Sequence, residues 1–156
     1  EMKIGLRNIK TALAVSLCII LFQLLDRPYP FYACIAAVIC MQRSVKHSFR
    51  VGRDRMIGTV LGGLVGLGVY LVFGPVWYAT GMGIVVVIAL CNYFGKQSSV
   101  AIACIVLIAI TTNLKEVTAV LYAANRVLDT LIGIVIALGI NRSIPSRKTN
   151  LEEKTS

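Results

Sequence analysis

Arg126, Asp129 and Thr130 interrupt the otherwise apolar run from Val117 to Asn141. On a helix, spacings of three and four put these side chains on one face, with Asn125 one step aside. Two chemistries fit. The guanidinium can neutralise the carboxylate and lock helix packing. Alternatively it can offer its planar donor fork to the carboxylate of a bound anion. The arrangement occurs twice: Arg55-Met-Ile-Gly-Thr59-Val-Leu-Gly62 recurs as Arg126-Val-Leu-Asp-Thr130-Leu-Ile-Gly133. The first copy has Gly58 in the place of Asp129, so ion pairing cannot be the reason common to both arginines. A charge leading into an apolar helix is costly, and repeating it argues for a role. Asp129 is the one acid expected at membrane depth, which makes it the candidate proton carrier.

Around the first copy the chain is strongly basic. Arg43, Lys46, Arg50 and Arg53 recur at helical spacing, and the reading is one helical face carrying all four. Such a face serves positive-inside topology and lipid headgroups, or it forms an electropositive inner mouth that concentrates anions. Just beyond, Gly58, Gly62 and Gly66 are each four apart, and Gly133 opens a weaker continuation in the second copy. Stripes of small residues let helix backbones approach closely, so these glycines read as packing positions, within or between subunits.

The elements that must hold these residues are apolar helices. The chain has 156 residues, of which 57% are hydrophobic and 15% charged. From Met56 to Gly95, 40 consecutive residues contain no Asp, Glu, Lys or Arg. A soluble fold of this size could not bury so much apolar surface, so the class is an all-α integral membrane protein. Phe73-Gly74-Pro75 divides the long run into Met56–Phe73 and Pro75–Gly95. Thr11–Leu25 and Pro28–Gln42 precede these segments, and Gln97–Leu114 and Val117–Asn141 follow. The expectation is six transmembrane helices spanning residues 3–145, with a polar cytoplasmic tail over 146–156. The first two runs are short for a core of ~30 Å, so flanking helix must extend them. Asp26-Arg27-Pro28 after the first run is no signal-cleavage site, so that helix reads as retained, with Met2 the natural start.

With the N-terminus in the cytoplasm, 13 of the 16 lysines and arginines fall inside, and only Arg27 and Lys115 fall outside. That bias predicts both termini on the cytoplasmic face of the cell membrane. Tyr29, Phe31, Tyr32, Tyr70, Phe73, Trp77 and Tyr78 then gather at the outer interface as an aromatic belt. Three helices per half means that the second half, residues 75–145, enters upside down relative to the first, residues 3–73. This is the inverted-repeat plan of many transporters. Ala33-Cys34-Ile35 and Ala103-Cys104-Ile105 are a second, weaker match between the halves.

Several classes are excluded or disfavoured. Cys18, Cys34, Cys40, Cys91 and Cys104 all lie in apolar stretches without a C-x-x-C pair and read as small hydrophobes. With His47 the single histidine, a histidine-based metal cluster is excluded. No nucleophile elbow, P-loop, H-E-x-x-H or strand-linked G-x-G-x-x-G occurs, so neither an enzyme nor a cofactor is expected. The net charge of +9 reflects topology rather than nucleic-acid binding.

Pro28-Tyr-Pro30, Ala33, Ala36-Ala37-Val38 and Met41-Gln42, followed by Arg55-x-x-Gly-Thr59-x-x-Gly62, resemble the aromatic acid exporter family, also called the fusaric acid resistance (FUSC-like) group. Asn125-Arg126-x-x-Asp129-Thr130-x-x-Gly133 resembles the segment near the end of that family's membrane block. The plant aluminium-activated malate transporters look like distant relatives. The resemblance covers nearly all of residues 3–145. It implies a six-helix membrane domain, organic-anion efflux and, from the malate channels, a dimer with arginines along the conduit. Carried onto this chain, the substrate-binding positions are Arg55, Thr59, Arg126, Asp129 and Thr130. Many members continue into a cytoplasmic domain or second membrane block, whereas this sequence ends at Ser156. That departure leads to the expectation of oligomers, a homodimer first. The reading is therefore an exporter or channel for small organic anions such as aromatic carboxylic acids. Its alternative is a non-transporting membrane subunit in which the repeat serves packing and assembly.

Overall fold

The computed structural model describes residues 5–112 and 118–144. Lys3, Lys115 and the tail 146–156 lie outside the described residues. Among the described residues there are six α-helices and no strand: α1 (Leu6–Leu24), α2 (Phe31–Cys40), α3 (Val45–Phe73), α4 (Trp77–Tyr93), α5 (Val100–Thr112) and α6 (Ala119–Ser143). A single 3-10 turn, Gln97–Ser99, leads into α5. Among the described residues three helices, α1, α3 and α6, are long and apolar enough to cross a membrane.

The helix boundaries have local causes. The first turn of α1 includes Arg7 and Lys10, so the helix extends the uncharged run at its N-terminal end. It stops where Asp26 adopts φ 53°, with Arg27 N–H donating to Phe22 O and Asp26 N–H to Gln23 O. This is a Schellman closure. The end of α4 repeats it: Gly95 has φ 64°, Lys96 N–H donates to Cys91 O and Gly95 N–H to Asn92 O. The break at Phe73-Gly74-Pro75 is present, with Gly74 at φ 72°. Starting after two prolines and leaving helical geometry at Met41, α2 is only 10 residues long, shorter than the run Pro28–Gln42. Ser44 starts α3 as an N-cap, its Oγ accepting from His47 N–H at 3.2 Å. For this reason Arg43 precedes the helix, which corrects the expectation that it shares a helical face with Lys46, Arg50 and Arg53.

Packing divides the chain into two compact units, residues 1–52 with 131–156, and residues 53–130. In the first, α1 packs on α2. Its core is Ala14, Cys18 and Phe22 from α1, and Ala33, Ala36, Ala37 and Cys40 from α2. In the second, α4 packs on α5, and Val87, Cys91, Ala103 and Leu107 form the core. The units use the same positions. The buried stripe of α1 is Lys10, Ala14, Cys18 and Phe22, and that of α4 is Ala79, Gly83, Val87 and Cys91, each four residues apart and each ending four residues before the left-handed cap. Ala33, Ala36, Ala37 and Cys40 in α2 are spaced as Ala103, Val106, Leu107 and Ile110 in α5.

The surface differs from that of a water-soluble fold, and several charged and polar groups are buried instead. Lys10 and Arg126 are 3% and 5% exposed, while Leu24 and Trp77 are 79% and 85% exposed. Exposed apolar side chains run along every helix, which is stable only with hydrocarbon as the surrounding solvent. The protein is a membrane protein.

Candidate functional site

The five expected binding residues, Arg55, Thr59, Arg126, Asp129 and Thr130, are all buried and all belong to the unit of residues 53–130. Arg55 and Thr59 stand one turn apart on α3, where the Thr59 hydroxyl donates to Arg55 O at 2.9 Å. This local bond satisfies the hydroxyl without a partner on another helix. Arg126 on α6 donates from Nη2 to the Tyr122 hydroxyl, and its guanidinium lies 4.7 Å from the centroid of the Tyr122 ring. Tyr122 carries no motif of its own, although its position four residues before Arg126 is the spacing that brings helix neighbours together. The ring holds the guanidinium by cation–π attraction and its hydroxyl fixes the orientation.

Glycines of both motif copies sit where the backbone of another segment leaves no room for a Cβ. A Cβ at Gly58 would lie 2.7 Å from Ser99 O, and one at Gly66 would lie 3.1 Å from Leu107 Cα. At Gly62 it would meet the Ala103 carbonyl oxygen, with Ala103 Cα at 2.8 Å. These contacts lie within the chain, α3 against the start and middle of α5. In the other unit, a Cβ at Gly133 on α6 would meet the Ala33 carbonyl and stand 2.7 Å from Ala36 Cβ on α2. The contacts are reciprocal: the glycine of the first motif copy seats on Ala103, and the glycine of the second seats on Ala33.

The basic residues Arg43, Lys46, Arg50 and Arg53 are all exposed. Arg53 approaches Asp54 at 3.5 Å, and Lys96 approaches the same oxygen at 4.0 Å. Asp54 also accepts the Ser98 hydroxyl at 2.7 Å, while its main-chain oxygen accepts that of Ser99 at 2.7 Å. The α4–α5 turn is thereby held to α3 at the level of the basic segment.

There is a second buried polar cluster. In the unit of residues 1–52 and 131–156, Lys10 Nζ donates to Asn141 Oδ1 at 3.0 Å. Asn141 Nδ2 in turn donates to Gln42 O at 3.0 Å and to Ser48 Oγ at 2.8 Å. Ser48 Oγ also accepts Gln42 N–H at 3.0 Å. The main chain at Gln42, which has left helical geometry after α2, therefore finds its partners in two side chains. Backbone that leaves helical geometry in a packed interior requires such partners. In the sequence Lys10 is one of the 13 bases assigned to the inside and Asn141 closes the last apolar run, so both flank apolar segments and neither stands out as a partner of the other.

Residues 2–144 match the family model described as aromatic acid exporter family member 1. The UPF0421 protein YgaE of Bacillus subtilis is 27% identical over 140 residues, covering 90% of this chain and 39% of that protein. A UPF0421 protein of Staphylococcus epidermidis is 30% identical over 156 residues, covering 97% of this chain and 46% of its own length. A third, from Staphylococcus haemolyticus, is 28% identical over 142 residues, covering 88% of this chain and 42% of its own. The chain thus spans less than half the length of these curated relatives. No solved structure matches it.

Proposed function

The chain belongs to the aromatic acid exporter family, and from that premise we propose that it exports small organic anions across the cell membrane, with Arg55, Thr59, Arg126, Asp129 and Thr130 as its binding residues. The observation that carries this reading is the buried Arg126 seated on Tyr122. A guanidinium fork beside an aromatic face suits a carboxylic acid with an aromatic body. Arg55 and Thr59 repeat the motif in the same unit. The exposed bases Arg43, Lys46, Arg50 and Arg53 act as the anion-collecting mouth.

Six crossings with both termini cytoplasmic are part of the proposal. The Lys10–Asn141 bond supports it, because it ties the start of α1 to the end of α6. At ~1.5 Å per residue α2 covers only about half of a ~30 Å core. The satisfied backbone of Gln42 supports counting the irregular flank as part of that crossing. The inverted repeat over 3–73 and 75–145 is supported by the matching buried stripes, the matching caps and the reciprocal Gly62–Ala103 and Gly133–Ala33 contacts. In this reading each half lends its third helix to close the helix pair of the other. A homodimer is the assembly proposed. Since the glycine stripe is occupied within the chain, a subunit contact would use another surface.

The same close glycine contacts favour a second reading, in which the repeat serves packing alone. Reconstitution into liposomes with labelled aromatic and dicarboxylic acids separates the two. The export reading expects Arg126→Gln to abolish flux with the fold intact. Adding Asp129→Asn should repair any stability lost to the charge imbalance without restoring flux. A double variant that transports like the wild type would end the anion-site assignment.

A further inference from the structure

The unit formed by residues 1–52 and 131–156 carries an open groove of about 850 Å³ between the first half of α1 and the end of α2. Arg7, Asn8 and Thr11 line it at the start of α1, Val15 and Ser16 farther along that helix, and Val38 and Ile39 line it from the end of α2. From Arg7 to Ser16 the lining follows α1 for roughly 14 Å at the helical rise. Among the described residues, neither the Arg7 guanidinium nor the Asn8 amide has a hydrogen-bond or ion-pair partner. The Thr11 hydroxyl is already committed to Arg7 O at 2.8 Å. Val38 and Ile39 are 47% and 40% exposed, on a surface that meets hydrocarbon.

Arg7 and Asn8 are exposed at the start of α1, on the flank that the positive-inside bias puts at the cytoplasmic headgroups, so a cover there would come from the membrane surface. Three features identify the cover. The ligand head must be anionic, because Arg7 presents an uncommitted planar fork. Its body must be apolar, because Val15, Val38 and Ile39 line the same groove. It need not be enclosed, because the groove is open rather than a closed small-molecule cavity. We propose that this groove holds one anionic phospholipid of the adjacent leaflet. Its phosphodiester sits on Arg7 and Asn8, and an acyl chain lies against Val15, Val38 and Ile39. Basic pockets between membrane helices near the interface bind acidic headgroups by this chemistry. The site rests on α1 standing in the bilayer and is independent of what is transported.

Native mass spectrometry of the full chain, released from nanodiscs of equal phosphatidylglycerol and phosphatidylcholine, tests the site. The wild type should retain one phosphatidylglycerol in preference to phosphatidylcholine. Arg7→Gln should weaken that retention about tenfold, the loss of roughly 1.4 kcal/mol of charge-assisted hydrogen bonding. Val38→Trp, which fills the apolar half without changing charge, should also abolish it. Arg142→Gln removes an exposed base outside the groove lining and should leave retention unchanged. The proposal is overturned if the wild type shows no preference, or if Arg7→Gln and Val38→Trp retain lipid normally. Equal loss in Arg142→Gln overturns it too, since bulk charge would then suffice. A lipid-free dimer that Val38→Trp dissociates would assign the groove to a second copy instead.

Discussion

Replacing Gly62 by alanine adds one methyl group, and the structure says where that methyl must go. It would stand 2.8 Å from Ala103 Cα and 2.9 Å from Ala103 C, closer still to the carbonyl oxygen. Those atoms are backbone and cannot swing aside as a side-chain tip can. Gly63 follows in the same helix, yet a Cβ there meets nothing within 4 Å. Alanine improves helix propensity at both positions by the same amount, about 1 kcal/mol. The difference between the two variants therefore isolates overpacking, which costs about 1–3 kcal/mol. Contact with backbone puts Gly62→Ala at the upper end. For a chain of this size, ~3 kcal/mol corresponds to a separation of roughly 6–12 °C in melting temperature. Thermal unfolding of the two variants in one detergent reads it directly: Gly63→Ala at or above the wild type, Gly62→Ala well below. Gly133→Ala against Gly139→Ala repeats the comparison in the other unit, since Gly139 also has open space. Equal melting temperatures within each pair would refute the reciprocal glycine seats.

Ser48→Ala removes the acceptor of both Gln42 N–H and the Asn141 amide, and should lower stability by about 1–3 kcal/mol for each buried donor left short. Denaturation in detergent checks this, and a loss within 0.5 kcal/mol of zero would show that water already reaches the cluster. Topology is tested by thiol labelling in a background lacking the native cysteines: Tyr29→Cys should react with an impermeant reagent only from outside, and Arg142→Cys only from inside. Labelling of both from one side would sink the six-crossing arrangement.

Much of this protein was legible in its sequence because the causes are local. Apolar runs free of charge demand a bilayer whatever they pack against, so the membrane class follows from composition. Gly74 beside Pro75 ends a helix by backbone sterics alone, and the break stands where the residues put it. Ser44 was equally local: its side chain caps α3, a signal that would have kept Arg43 off the helix. The repeated Arg-x-x-x-Thr-x-x-Gly motif likewise needed no structure to be found, and it carried the family resemblance. The tertiary structure alone decided which helix faces which. A helix that is apolar on all sides has no polar face to mark its outside, so periodicity is silent on its partner. That is why the seat of Gly62 on Ala103, and of Gly133 on Ala33, could not be read from the glycines themselves. Lys10 shows the same limit from the polar side. Counted by sequence it is one of 16 bases, and only long-range packing against Asn141, 131 positions away, takes it out of solvent. Charge and length set what the chain must be immersed in, and contacts between distant segments set which polar groups it keeps inside.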